Sequence, residues 1–149
     1  MKNVTTRWTP FSLEDVYKVT NNIKLWPRLF DSYTKVEILE ITTTYVKFKL
    51  FINENKKEFS WISERKLDIN NRIVYGQRLD PKYPFNFMKL KWIYKPEKSG
   101  TRLTWIQEFE PSSTLDLKDQ QRLIKHMQNT DKTMGKFMGR VNEFIKERK

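Results

Sequence analysis

The pattern of this chain predicts an α+β protein: a seven-stranded, curved antiparallel sheet around one long C-terminal helix, with two short helices between the first and second strands. Three observations predict it. From Asn3 to Phe109, side chains alternate in seven segments with the period of two that places neighbours on opposite faces of a sheet. From the second segment onward the spacers are hairpin-sized, so successive strands should pair antiparallel. After Pro111 the apolar period changes to three and four, the spacing of one helix face. A sheet with one face to bury and a helix with one long apolar face complete each other.

Val4, Thr6 and Trp8 alternate with Asn3, Thr5 and Arg7 in the first strand, which Pro10 ends. Ser12 stands where a hydroxyl caps a helix, and Glu14 and Asp15 occupy the first turn, where carboxylates favour the helix dipole. Val16, Tyr17 and Val19 form the apolar side of this short helix, which ends near Asn21-Asn22. A second short helix covers Ile23 to Phe30, and Pro27 limits its length. Extended structure follows at Tyr33, Val36, Ile38 and Leu39. Between Tyr45 and Ile52, Val46, Phe48 and Leu50 oppose Lys47 and Lys49. Asn53 to Lys56 turns into Lys57–Leu67, and Asp68 to Asn71 turns into Arg72–Leu79. Pro81 and Pro84 bracket a loop. Between Asn86 and Lys95, Met88, Leu90, Trp92 and Tyr94 share a face; between Thr101 and Phe109, Leu103, Trp105, Gln107 and Phe109 do.

The last helix should run from about Leu117 to Glu147, with Ile124, Met127, Asp131, Met134, Met138, Val141 and Ile145 as its seam. Asp131 interrupts the apolar stripe. Either Asn129-Thr130-Asp131 caps a break that Gly135 loosens further, or a carboxylate faces the interior.

The segment Lys57–Leu67 is the most informative. Phe59, Trp61, Ser63 and Arg65 share one of its faces. An ordinary core excludes an unpaired cation, and a solvent face has little use for Phe and Trp. An aromatic-lined cavity ending in a cation reconciles the two; a half-buried edge strand with Arg65 reaching out to water is the alternative.

Composition bounds the function. The 149 residues suit one domain, 1–149, and 38 % hydrophobic with 14 % aromatic content supports a core or a lined cavity. No apolar run approaches the roughly 20 residues that span a bilayer. MKNVTTRW lacks the apolar stretch of a signal peptide, so a cytoplasmic protein is expected. Without cysteine there is no disulfide, thiol nucleophile or Cys-ligated zinc. The single histidine, His126, lies off the helix seam and is expected at the surface; no metal site is expected. The net charge of +11 suits an acidic partner, but no nucleic-acid recognition motif accompanies it.

The element order resembles the helix-grip fold shared by birch-pollen-allergen and START-type proteins. Within it, the chain resembles the polyketide aromatase/cyclases. The resemblance rests on Asn21-Asn22-Ile23 followed by Trp26-Pro27, Leu29-Phe30 and Tyr33; on Trp61, Ser63 and Arg65; and on Trp105, Gln107 and Phe109, in that order. It implies a poly-β-ketone tethered to an acyl carrier protein, folded in an interior pocket and guided through aldol closure and dehydration to an aromatic ring. It implies that Trp26, Tyr33, Phe59, Trp61, Ser63, Arg65, Met88, Trp92, Trp105 and Gln107 line the pocket, with Arg65 and Tyr33 nearest the chemistry. Some members of the family carry a polar amide or similar group on the last helix; an ungapped match puts Asp131 there, or Asn129 if the register shifts, and an Asp131 that faces the pocket is the candidate base. The expected partners are the carrier protein and a small hydrophobic or aromatic ligand, with neither nucleic acid nor membrane; the protein should be a monomer or homodimer.

The residues suit this chemistry on their own. Holding a flexible chain in one conformer is largely an entropic task. Flat aromatic walls match a product that becomes flat. Arg65 can stabilise an enolate or alkoxide, and Tyr33 can exchange a proton with it, with no cofactor required. The alternatives are a non-catalytic carrier of a lipid or other hydrophobic ligand, for which the cavity would look the same, and a protein that binds nucleic acid or an acidic surface by charge.

Overall fold

The computed structural model describes residues 1–148. The strands are β1 (Lys2–Thr9), β2 (Tyr33–Ile41), β3 (Tyr45–Glu54), β4 (Lys57–Asp68), β5 (Ile73–Asp80), β6 (Phe85–Glu97) and β7 (Gly100–Pro111). They form one antiparallel sheet in the order β1-β7-β6-β5-β4-β3-β2. Hairpins join β2 through β7, while β1 and β2 lie at opposite edges. The short helices α1 (Leu13–Thr20) and α2 (Trp26–Leu29) make that crossing, joined by a 3-10 turn at Ile23–Leu25. This is the helix-grip arrangement expected from the sequence.

Local chemistry fixes the crossing. The Ser12 hydroxyl accepts from the Asp15 N–H at 3.2 Å and starts α1. Pro27 stands in the first turn of α2, where its missing N–H costs nothing. Val16, Ile23, Trp26 and Leu29 face inward and are buried.

The C-terminal segment is two helices, α3 (Leu117–Gln128) and α4 (Thr130–Glu147), divided at Asn129. Of the two readings of Asn129-Thr130-Asp131, the break is the observed one. The seam needs correction at one position. Both residues lie within α4: Thr130 stands four and seven residues before the buried Met134 and Phe137, on their face, and Asp131 is one residue, about 100°, further round. Thr130 turns inward and is buried, and Asp131 turns out to solvent with its side chain 76 % exposed, 2.6 Å from Arg7 Nη1. The last carbonyls of α3 are not left bare: Met127 O accepts from Thr130 Oγ1 at 2.5 Å and from Asn3 Nδ2 at 2.8 Å.

β1 presents its polar residues to the helices. Thr5 and Thr9 are buried, Thr9 Oγ1 donates to Asn142 Oδ1 at 2.6 Å, and Arg7 Nη2 donates to Asp131 O at 3.0 Å. Val4 and Trp8 point outward. Along α4, Met134, Phe137, Met138, Val141 and Ile145 are buried against the sheet. α3 buries none of its residues. The sheet is therefore sealed under α4 and remains half-open under α3.

Gly100 lies where β1 leaves the sheet. A methyl group there would stand 2.1 Å from Thr9 O, which is a backbone atom and cannot rotate away. Around a methyl at Gly139, in α4, nothing lies within 4 Å. Gly100→Ala is expected to destabilise the fold by about 2–3 kcal/mol by overpacking, while Gly139→Ala stabilises it by about 0.5–1 kcal/mol through helix propensity. Urea unfolding of the two variants measures both.

Candidate active site

Strand register decides which side chains meet inside. β4 pairs with β5 so that Arg65 lies opposite Gly76 and Ser63 opposite Arg78. β6 pairs with β7 so that Trp92 lies opposite Trp105 and Leu90 opposite Gln107. Gly76 leaves open space beside Arg65: a methyl there would only reach ordinary contact, 3.6 Å from Arg65 Cγ.

Arg65 is 2 % exposed. Its guanidinium carbon lies 4.2 Å from the centre of the Trp92 ring and 5.1 Å from that of Trp26. Nη2 donates to Asn21 Oδ1 at 2.9 Å, and Nε has no protein partner. Among the described residues no carboxylate forms an ion pair with it. Burial pulls its pKa down to about 10, opposed only by the phenols of Tyr94, Tyr17 and Tyr33, so it remains a cation at neutral pH. Asn21 is tied down in turn, since Nδ2 donates to Tyr17 O at 2.9 Å and to Tyr94 Oη at 3.0 Å. The Tyr94 hydroxyl also meets Thr20 Oγ1 at 2.6 Å.

A ring cluster surrounds this cation. Trp92 stacks on Trp105 at 4.8 Å and on Trp26 at 5.9 Å. Phe30 stacks on Phe137 of α4 at 4.4 Å. Trp26 Nε1 donates to Thr20 O at 3.1 Å, whereas Trp105 Nε1 is buried without a partner.

Tyr33 joins the closed and half-open parts of the interior. Its ring stacks on Trp26 at 6.0 Å and meets Trp61 edge-on at 6.2 Å. Burial pushes its pKa up to about 12, although the charges of Arg78 and Arg65 pull the other way. Arg78 is a second inward cation, 4.3 Å from the Trp61 ring centre, with Nε donating to Pro81 O and Nη2 to Tyr83 O, both at 2.8 Å. Burial lowers its pKa to about 10. Trp61, Ser63, Met88, Leu90 and Gln107 are half-buried here. Gln107 Oε1 lies 3.1 Å from Thr130 Oγ1, the inward group at the helix break.

Three sequence-based expectations need correction. Asp131 does not reach this site: it is exposed beside Arg7, because the buried face of α4 runs through Thr130, Met134 and Phe137 and Asp131 lies off it. Phe59 lies near the β3–β4 turn and is 48 % exposed, at the rim. The open interior pocket expected from the sequence is not seen under α4, where Arg65 and the stacked rings of Trp26, Trp92, Trp105 and Phe137 form a closed core. A surface hollow of about 440 Å³ lies instead between α1 and the β4–β5 turn, with Tyr17, Asn21, Ile69 and Arg72 in its wall. Trp26, Tyr33, Trp61, Ser63, Arg65, Met88, Trp92, Trp105 and Gln107 do converge on the inner face. Sequence reading missed Arg78, although the alternation Val74, Gly76, Arg78 carries it. It also missed the grip of Asn21, which no local pattern reveals.

Residues 9–130 match the family model described as polyketide cyclase / dehydrase and lipid transport. A Streptomyces cyaneus protein named as a candidate polyketide cyclase is 35 % identical over 105 residues, 68 % of each chain. Among solved structures, the Zhui aromatase/cyclase from Streptomyces sp. R1128 superposes with a TM-score of 0.85 at 17 % identity, covering 97 % of this chain and 95 % of that one. A STAR-related lipid transfer protein from Xanthomonas axonopodis superposes at 0.70 with 14 % identity, over 92 % and 83 % of the two chains. At these identities the structural matches establish the shared helix-grip fold, and the sequence matches establish the lineage: the chain belongs to the polyketide cyclase/dehydrase and lipid-transport family.

Proposed function

We propose that this protein directs regiospecific aldol cyclisation and dehydration of a carrier-protein-tethered poly-β-ketone, as a cofactor-independent aromatase/cyclase. The observation that carries the reading is Arg65, a buried cation without a carboxylate partner, held among indole rings with its Nε unpartnered. Buried donors normally have acceptors. The Arg65 and Trp105 N–H groups call for oxygen atoms on an otherwise flat, apolar ligand, which describes a polyketone.

The steps balance without an oxidant or reductant. A methylene between two carbonyls loses a proton to water at the half-open end, and the cation stabilises the resulting enolate oxygen. The enolate carbon attacks a distant carbonyl, forming the ring C–C bond and an alkoxide. Tyr33, which holds its proton at neutral pH, donates to that alkoxide, and water reprotonates the phenol. Loss of the new hydroxyl with a neighbouring α-proton releases one water, and enolisation completes the aromatic ring. Ring stacking by Trp26, Trp92 and Trp105 favours the planar product over the puckered precursor.

The second reading is transport of an apolar ligand without reaction. It is favoured by the half-open inner face under α3 and by the likeness to a lipid transfer protein. Turnover of a tethered chain separates the two readings.

Arg65→Met tests the proposal. Methionine fills similar space without the charge, so thermal stability is expected to hold or rise, as when a buried charge gives way to an apolar group. Regiospecific product is expected to fall at least a hundredfold, a barrier rise on the order of 3 kcal/mol, and spontaneous shunt products take its place. Arg65→Lys should rescue poorly because it lacks the planar fork. Product analysis after reconstitution with a ketosynthase pair and carrier protein decides it: a wild-type product profile in Arg65→Met sinks the assignment.

Delivery by an acidic carrier protein would use the basic surface. Lys82 and Lys132 are exposed, and Lys136 lies 3.7 Å from Asp31. Reversing all three to Glu is expected to slow carrier-protein association while sparing a free aromatic ligand. Wild-type association should weaken between about 50 and 500 mM salt as the Debye length shrinks toward ~4 Å. Stopped-flow rates that stay flat with salt would remove the basic surface from delivery.

A further inference from the structure

We infer that Asn21 is a positioning residue for the Arg65 cation: its side-chain oxygen fixes the in-plane orientation of the guanidinium without neutralising it. This inference rests on the cyclase reading above. The Trp26 and Trp92 rings lie 5.1 and 4.2 Å from the guanidinium carbon, and a ring face attracts the charge without bonding a particular N–H, so it leaves the group free to turn. The bond from Nη2 to Asn21 Oδ1 removes that freedom and leaves the Nε edge unpartnered.

The amide cannot be reversed. Arg65 only donates and the Tyr17 carbonyl only accepts, so Oδ1 must face Arg65 and Nδ2 must face Tyr17 O. Tyr94 Oη, held by Thr20, is a second acceptor for Nδ2. The backbone is fixed as well: Asn21 ends α1, and its own N–H donates to Tyr17 O at 3.1 Å. Asn21 therefore joins a rigid helix end to a buried cation. Its neutrality matters. Aspartate would fit the same volume, but it would pair with the cation and set a carboxylate oxygen against the Tyr17 carbonyl. The cation would then be stabilised in the resting protein and less available to an enolate.

The test uses the full chain with a poly-β-ketone built in situ on its carrier protein by a ketosynthase pair. Two variants are compared with wild type: Asn21→Asp, which keeps the size and adds the charge, and Asn21→Gly, which can adopt the φ of −99° found there and removes the clamp. Both are expected to lose about tenfold or more of regiospecific product, in kcat rather than KM, as for a group acting on transition-state orientation. Asn21→Asp should unfold at or above the wild-type temperature. Independently of substrate, nitrogen NMR of the Arg65 side chain should report slowed Nη exchange in wild type and fast exchange in Asn21→Gly. A wild-type product ratio in Asn21→Asp overturns the inference. So does an activity loss that only follows a lowered unfolding temperature in both variants. If wild type forms no ring, the cyclase reading fails, and the NMR comparison still decides whether Asn21 holds Arg65.

Discussion

Arg65 is buried with no carboxylate in contact among the described residues, and much of the surrounding structure offsets that cost. Moving an ion from water into a protein interior costs several kcal/mol even after relaxation. Two cation–π contacts, on the order of 2 kcal/mol each when desolvated, recover part of it. The charge-assisted bond to Asn21 recovers about 1.5–3 kcal/mol more. An acid at that position would stabilise the resting fold further. What the protein holds instead is a buried cation with a neutral amide against it.

The fold follows from keeping that cation in place. The crossing of α1 and α2 brings Asn21 and Trp26 against Arg65 from one side, and the strand register brings Gly76 and Trp92 from the other. The division at Asn129 separates two roles. α4 seals one half of the sheet with Met134, Phe137 and Val141, while α3 leaves Trp61, Ser63 and Met88 half-exposed. Tyr33 stands between these halves, with Arg78 as a second charge on the half-open side.

Much of this was legible in the residues. Alternation along β4 placed Arg65 and Trp61 on one inward face, because a strand has only two faces. The change of period after Pro111 announced the gripping helix. What was not legible depends on tertiary contacts. Thr130 and Asp131 both stand at helical spacing from Met127 and Met134, so the period alone admits either in the seam, and packing puts Thr130 inside. No pattern along β1 said that Asn3, Thr5, Arg7 and Thr9, and not Val4, Thr6 and Trp8, would face the helices; the bonds from Thr9 to Asn142 and from Asn3 to Met127 lie on that side. The fill of the interior by Trp26, Trp92, Trp105 and Phe137 depends on how rings from four separate elements stack, and spacing along the chain carries no record of it.

The central claim is that the interior stabilises an anionic oxygen on a flat ligand through Arg65. A hydroxynaphthalene reports this directly, because its phenol and phenolate absorb at different wavelengths. Spectroscopic titration of the bound ligand should give an apparent pKa at least one unit below its value in water, equivalent to about 1.4 kcal/mol of preference for the anion. In Arg65→Met the shift should vanish or reverse, as burial alone disfavours the anion. A bound phenol that titrates in wild type at or above its solution value would contradict the account.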